Sequence, residues 1–381
     1  VRPNDVALLR VPSGPTLRGD LLLVAVSAPD PATNEYHSSL QRIPLDGGAV
    51  RPWTWGPHDT APTLSPDGRW LAFLRQVGER DQQQLHVMPS DGGDARCVTT
   101  LHAGVSGLAW APDSRRIAFT TRVAEPGRYG TSTDEWPGAP ESDAEAPRRL
   151  TRMDYRLDDV GYLVDQHARL YVLDLGTAFE PEAELPEPVE LTDGRCDVGD
   201  AVWTPDGQYV VVTAPRDLGV EETVRSDIYA VPAAGGTPVL LAQASGWTAM
   251  PAVADDGTVV YFGTEHDGPG DAEAENNGLW AVPFASASGE AGTPRRLTDV
   301  ETVDCETMAG PPIVTDDGVL VAMRNRGAIE LRRVPMDAAG VTLAELPVLA
   351  GEHGAVKSFT ADGGRIAAIV STPDSPGEVV L

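Results

Sequence analysis

The residues best equipped for chemistry stand between Pro147 and Tyr162, in the run Pro-Arg-Arg-Leu-Thr-Arg-Met-Asp-Tyr-Arg-Leu-Asp-Asp-Val-Gly-Tyr, where guanidinium groups, phenols and carboxylates alternate closely. Arginine offers a planar fork of donors that matches a carboxylate or a carbonyl, and aspartate offers acceptors to an amine. Arg152, Tyr155, Arg156, Asp158 and Tyr162 therefore form the candidate set, either to hold the terminus of a ligand or to meet another domain. The alternative is that these side chains pair with one another and pin a long hairpin.

Outside that run the signals for chemistry are weak. A nucleophilic serine of the α/β-hydrolase kind sits in a Gly-x-Ser-x-Gly elbow, a sharp turn that exposes its oxygen. The chain has no such motif, none of its seven histidines accompanies a nucleophile elbow, and no catalytic residue is assigned. His58, His86 and His353 fall at strand ends or turns and read as structural. Cys97, Cys196 and Cys305 are odd in number and widely spaced, which suits buried thiols in a reducing compartment rather than a metal or disulfide framework. The acidic stretches Asp134 to Glu145 and Glu265 to Glu275 lack the regular oxygen spacing of a calcium loop. The expectation is no metal and no cofactor.

A formal net charge of −28 makes the surface self-repelling and unsuited to nucleic acid or anionic membrane, and neither is expected as a partner. No apolar run is long enough to span a bilayer and no charged-then-apolar leader stands at Val1, so nothing suggests membrane insertion or export and a cytoplasmic location is expected.

What positions the candidate segment is a repeat. Asp59 to Val77 reads as two strands joined by Ser65-Pro-Asp-Gly68, in which proline presets φ, aspartate favours the turn and glycine accepts φ > 0. The device recurs around Asp113, Asp206, Asp256, Asp317 and Asp362. A third strand follows in most copies, as in Leu85-His-Val-Met-Pro89 and Ile228-Tyr-Ala-Val-Pro232, with its proline at the end where no ladder bond is lost. An outer segment such as Val189-Glu-Leu-Thr192 or Arg295-Arg-Leu-Thr298 completes a four-stranded meander.

Such units, repeated about every 45 residues, predict an all-β, seven-bladed β-propeller of four-stranded antiparallel blades. The expected blades are 5–55, 59–100, 104–193 with an insertion at 124–168, 197–243, 246–299, 301–350 and 354–381. Blade one reads as degenerate, with Val6 to Leu9 as its first strand. Blade seven is expected to start its third strand at Glu378 and to be incomplete at Leu381. An unpaired sheet edge is costly to expose, so a further portion of the gene product is expected beyond Leu381.

The serial turns at Ser65-Pro-Asp-Gly68, Ala111-Pro-Asp-Ser114 and Thr204-Pro-Asp-Gly207, with Arg148 to Arg152, Tyr155 to Tyr162 and Leu170-Tyr-Val-Leu-Asp174, resemble the N-terminal propeller of prolyl-oligopeptidase-family serine peptidases. The likeness is strongest to the bacterial acylaminoacyl-peptidase and dipeptidyl-aminopeptidase-like branch and runs over nearly the whole chain. It implies a propeller that caps and gates a C-terminal α/β-hydrolase domain holding the catalytic triad. The substrates implied are short peptides or aminoacyl amides, and the acidic balance tilts the choice toward free amines. A homo-oligomer is compatible with this reading. The alternative is a free-standing TolB-like propeller that serves as a protein-binding platform.

Overall fold

The computed structural model describes residues 2–76, 82–131, 145–158, 160–176, 184–220, 225–265 and 275–381. The acidic stretches from Asp134 and from Glu265 fall largely outside these. Among the described residues seven antiparallel blades follow one another, six of four strands and a last one of three, the last two sharing one sheet, and two two-stranded hairpins stand outside them. Blade two shows the pattern: Asp59–Leu64, Trp70–Gln76, Gln83–Pro89 and Arg96–Cys97, paired in sequence order. Blades six and seven are joined by a single parallel bridge, Ile329 to Ala355.

The strands are apolar at successive positions because each sheet is covered on both faces. In the strand Tyr209–Pro215, Val210 and Val212 pack with Ala118, Leu170 and Val172 of blade three, while Val211 packs with Tyr261 and Trp280 of blade five. Alternate side chains point to opposite faces, so one strand serves two interfaces. No blade could bury its faces alone.

Each repeated sequence device has a visible bond. In the first turn the Ser65 hydroxyl donates to Asp67 (2.6 Å) and accepts from the Trp70 N–H (3.0 Å). Thr204, Asp206 and Tyr209 repeat this at 2.7 and 3.1 Å. The threonine of the outer segment accepts the N–H of the third-strand leucine in four blades: Thr54 from Leu40, Thr99 from Leu85, Thr192 from Leu170 and Thr298 from Leu279, at 2.9 to 3.0 Å. Trp110 and Trp203, buried at the same repeat position, donate their indole N–H to the preceding blade's innermost strand, at Thr63 O (3.1 Å) and Ala109 O (3.0 Å).

The innermost strands also slip register. In blades one to five a residue of left-handed backbone stands at the slip: Gly14, Ala61, Gly107, Asp200 and Met250, with φ between 50° and 65°. These are β-bulges, and they accommodate Pro15, Pro62 and Pro251 where the ladder is already interrupted. Gly107, Asp200 and Met250 border a cavity of about 760 Å³ shared by the innermost strands.

The structure corrects blade one. Val6 to Leu8 lie in a 3₁₀ helix, Pro3–Leu8, started by a proline and by the Asp5 carboxylate, which accepts the Arg2 N–H at 2.8 Å. The first strand is Val11–Arg18, which the Pro12, Gly14 and Pro15 content disguises and the bulge makes tolerable. The third strand of blade seven is Ser375–Val380, starting earlier than Glu378. Blade three's second and third strands run Arg116–Ala124 and Gln166–Asp174, so the insertion leaves the sheet between Ala124 and Gln166.

Blade one keeps all four of its own strands, and among the described residues the closure runs through side-chain contacts rather than a shared strand. Arg18 pairs with Asp362 (2.7 Å), which also accepts the Gly19 N–H (2.8 Å), and Arg365 pairs with Asp20 (2.9 Å).

Candidate functional site

In an antiparallel meander the connections between second and third strands emerge on the same face as those between blades, opposite the Pro-Asp-Gly turns. The blade-three insertion therefore stands on that face. Two contacts confirm its placement: a ring nitrogen of His102, from the connection between blades two and three, meets the Tyr129 carbonyl oxygen (2.7 Å), and Arg152 donates to the Gly219 carbonyl of blade four (3.2 Å).

The insertion is held at its root by a buried charge cluster. Arg148 donates to Asp165 (2.6 Å) and to Glu145 (2.7 Å), and Arg128 lies 3.5 Å from Asp165 and 3.8 Å from Glu145. The Glu145 and Asp165 side chains are 7% and 4% exposed, so the two guanidinium groups balance the two carboxylates with little help from water. Tyr129 closes the cluster: its N–H donates to Glu145 (2.7 Å), and its hydroxyl reaches Asp165 (3.0 Å) and the Tyr162 carbonyl (3.2 Å). Burial and the adjacent Asp165 carboxylate push the Tyr129 hydroxyl above its ordinary pKa of 10. Its φ of 49° is costly for an aromatic residue, and these bonds on backbone and ring hold it there. Beside it opens a polar cavity of about 700 Å³, bordered by Gln82, Gln83, His102 and Gln166.

Above this root, Arg156–Leu157 and Gly161–Tyr162 form a small hairpin in which Arg156 faces Tyr162. The Tyr162 ring is approached by two guanidinium groups, Arg148 at 4.5 Å and Arg156 at 5.8 Å, with Tyr155 tilted against it at 6.3 Å. Cation–π contacts of this kind contribute about 0.5–2 kcal/mol each. The structure thus brings Tyr155, Arg156 and Tyr162 together. Arg152 lies apart, bound through Nε and Nη2 to Asp154 (2.8 and 2.9 Å), which holds the Asp154 carboxyl below its ordinary 3.8 despite partial burial. Asp158 is exposed at the hairpin tip, beside a position outside the described residues. Among the described candidates, Arg156 and Tyr155 are exposed beside Tyr162, whereas the charge of Arg152 is matched by Asp154.

Arg128, Tyr129, Glu145 and Asp165 were not singled out from the sequence. They come from both arms of the insertion, and the only local hint is the pair of glycines that flanks Arg128 and Tyr129.

No protein-family profile matches the chain. Among curated proteins it is 33% identical over 184 residues to an uncharacterized peptidase, YuxL, of Bacillus subtilis, a match covering 48% of this chain and 26% of that protein. It is 24% identical over 264 residues to dipeptidyl-peptidase 5 of Porphyromonas endodontalis, covering 66% of this chain and 36% of that protein. Among solved structures it resembles an acylaminoacyl peptidase in complex with Z-Gly-Gly-Phe-chloromethyl ketone, with a TM-score of 0.70 and 16% identity over 98% of this chain and 51% of that one. The propeller domain of the Pyrococcus furiosus Trilobed protease, described as having an open velcro topology, matches at a TM-score of 0.63 and 15% identity over 98% and 93% of the two chains.

The fold is therefore the propeller seen in acylaminoacyl peptidases, as the repeated turns and the insertion implied. The curated relatives are peptidases, and the chain spans well under half the length of each. In the acylaminoacyl peptidase, about half of the molecule lies outside the part this chain matches.

Proposed function

We propose that this chain is the gating and substrate-orienting propeller of a serine peptidase that hydrolyses short peptides or aminoacyl amides. Its catalytic triad would lie in an α/β-hydrolase portion outside the chain. The observation that carries the reading is the match of nearly the whole chain to half of an acylaminoacyl peptidase, joined to sequence relatives that are themselves peptidases. These relatives favour it over a free-standing TolB-like platform.

The insertion face is where a hydrolase portion would dock. There Tyr155 and Arg156 would meet a substrate terminus or the partner domain, while Arg152 and Tyr162 brace the hairpin. Asp158, at the exposed tip, would be the group available to an amine. The shared cavity carries Asp200 and Asp255 against Arg18, a balance that suits a free amino terminus better than an acylated one. The free state of all three cysteines supports a reducing, cytoplasmic setting.

The test is fluorophosphonate labelling of the full-length gene product, followed by assay on alanine p-nitroanilide and its N-acetyl derivative. Expected is one labelled serine outside residues 1–381 and faster turnover of the free-amine substrate. A gene product that takes no label and cleaves neither substrate would overturn the reading. Replacing Arg156 by alanine is expected to raise KM with little change in kcat, as loss of uniform binding does.

A further inference from the structure

We propose that Glu35, His37 and His58 form a binding site for one divalent transition-metal ion of the zinc class, stapling blade one to blade two. Glu35 and His37 are alternate residues of the strand Glu35–Ile43 and so project from one face of it. His58 immediately precedes the first strand of blade two. The backbones that carry the two histidines are fixed side by side: the Ser38 N–H donates to Pro57 O at 2.7 Å, and Ser38 and His58 form a parallel bridge.

The side chains converge accordingly. One donor atom from each of the three residues lies within 4.8 Å of the other two. His37 Nε2 and Glu35 Oε2 are 3.6 Å apart, and the two imidazoles meet edge-on, with centroids 5.4 Å apart and planes at 84°. Zinc bonds of about 2.0–2.1 Å in a tetrahedron place ligand atoms about 3.3–3.4 Å apart, so small side-chain rotations complete the site. Two imidazoles and a carboxylate are a donor set that prefers zinc, cobalt or nickel to calcium or magnesium. The His37 and Glu35 side chains are 41% and 59% exposed, which leaves the fourth position to water and the site open to solvent ions. No linear motif announces it, because its ligands come from two blades.

The insertion root differs. There the carboxylates Glu145 and Asp165 already face arginines, and a cation would be repelled. At Glu35 the neighbours are neutral-capable ligands. The staple acts on stability through mass action, since the unfolded chain offers no such arrangement.

The experiment is calorimetric titration of the untagged chain with zinc chloride, in a Cys97→Ser background so that the half-buried thiol cannot be the ligand. A cobalt(II) absorption spectrum and a thermal melt are recorded with and without metal. Expected is one zinc per chain, a tetrahedral cobalt(II) band in the visible and a higher melting temperature with metal. His37→Ala and His58→Ala should each remove all three signals, and Glu35→Gln should weaken binding at least about tenfold, whereas His353→Ala should leave them unchanged. Should His58→Ala fail to fold, His37→Ala, at a more exposed side chain, carries the test alone. Absence of saturable binding to the parent chain, or binding undiminished in both histidine variants, would overturn the site. Because it needs neither a peptidase activity nor a hydrolase portion, its failure is separate from that of the function proposed above.

Discussion

Trp203 shows how a single residue holds two blades. Its ring is 5% exposed, its indole N–H donates to Ala109 O of blade three at 3.0 Å, and the Arg116 guanidinium lies 4.7 Å over its face. Trp203→Phe keeps most of the packing and strands that carbonyl, so it is expected to lower unfolding stability by about 1–3 kcal/mol. Trp203→Ala removes the packing as well and should cost about 3–5 kcal/mol. Urea denaturation with an unchanged m-value checks both, and a Trp203→Phe variant as stable as the parent would show that the bond contributes nothing. The aspartates at blade junctions and turns make a prediction about pH. Burial raises the Asp197 pKa, but bonds from His167, Arg122 and the Ala168 N–H outweigh it and hold the carboxyl below 3.8. Asp67, Asp113 and Asp206 are likewise lowered, their hydrogen bonds overcoming burial. A group whose folded pKa lies below its unfolded one stabilises the fold above the unfolded value and loses that contribution as pH falls through the folded one. The urea midpoint should therefore fall steadily below about pH 4, and Asp197→Asn should make that fall shallower.

Among the elements, the insertion was half legible. Its existence followed from its length, and the grouping of Tyr155, Arg156 and Tyr162 from residue type, because arginine and tyrosine at short spacing are visible in a linear reading. The root was not legible: Glu145 and Asp165 acquire meaning only when the arms carrying Arg128 and Arg148 are folded together, and nothing in the sequence fixes that pairing. The first strand of blade one was missed for the opposite reason. Its prolines and glycine are breakers in a regular strand but suit a bulge, and Val6 to Leu9, apolar and unbroken, looked the better strand. Turns were read correctly because serine or threonine, aspartate and glycine act within a few residues of one another. Asp165→Asn tests the root. It leaves two arginines facing one carboxylate, and uncompensated buried charge costs about 3–5 kcal/mol. The loss should be local: the Leu163 N–H, bonded to Tyr155 O, should exchange faster, while the Leu170 N–H, bonded to Thr192, keeps its protection. Unchanged exchange at Leu163 would mean that the cluster does not hold the insertion.

For the whole molecule the question is where a ring of seven similar sheets is weakest. Among the described residues, six interfaces bury seven or more apolar side chains, while the interface of blades seven and one buries only Leu17, Leu22 and Ala367, with Ile43, Leu45 and Val379 partly covered. What the seam lacks in apolar area it replaces with charge, in the Arg18–Asp362 and Arg365–Asp20 pairs. The arginine side chains of those pairs are 42% and 45% exposed, so each pair contributes at most about 1 kcal/mol and is screened by salt. The seam should therefore open before any other part of the ring. Hydrogen exchange across the strands Val11–Arg18 and Ala355–Asp362 is expected to be faster than across the innermost strands of blades two to five, and faster still in about 1 M salt, where the Debye length falls to about 3 Å. Asp362→Asn removes an ion pair and weakens the acceptor of the Gly19 N–H, so it should accelerate exchange there further while the protection of blade four is unchanged. Uniform exchange around the ring, insensitive to salt and to Asp362, would show that three buried side chains close this propeller as firmly as seven.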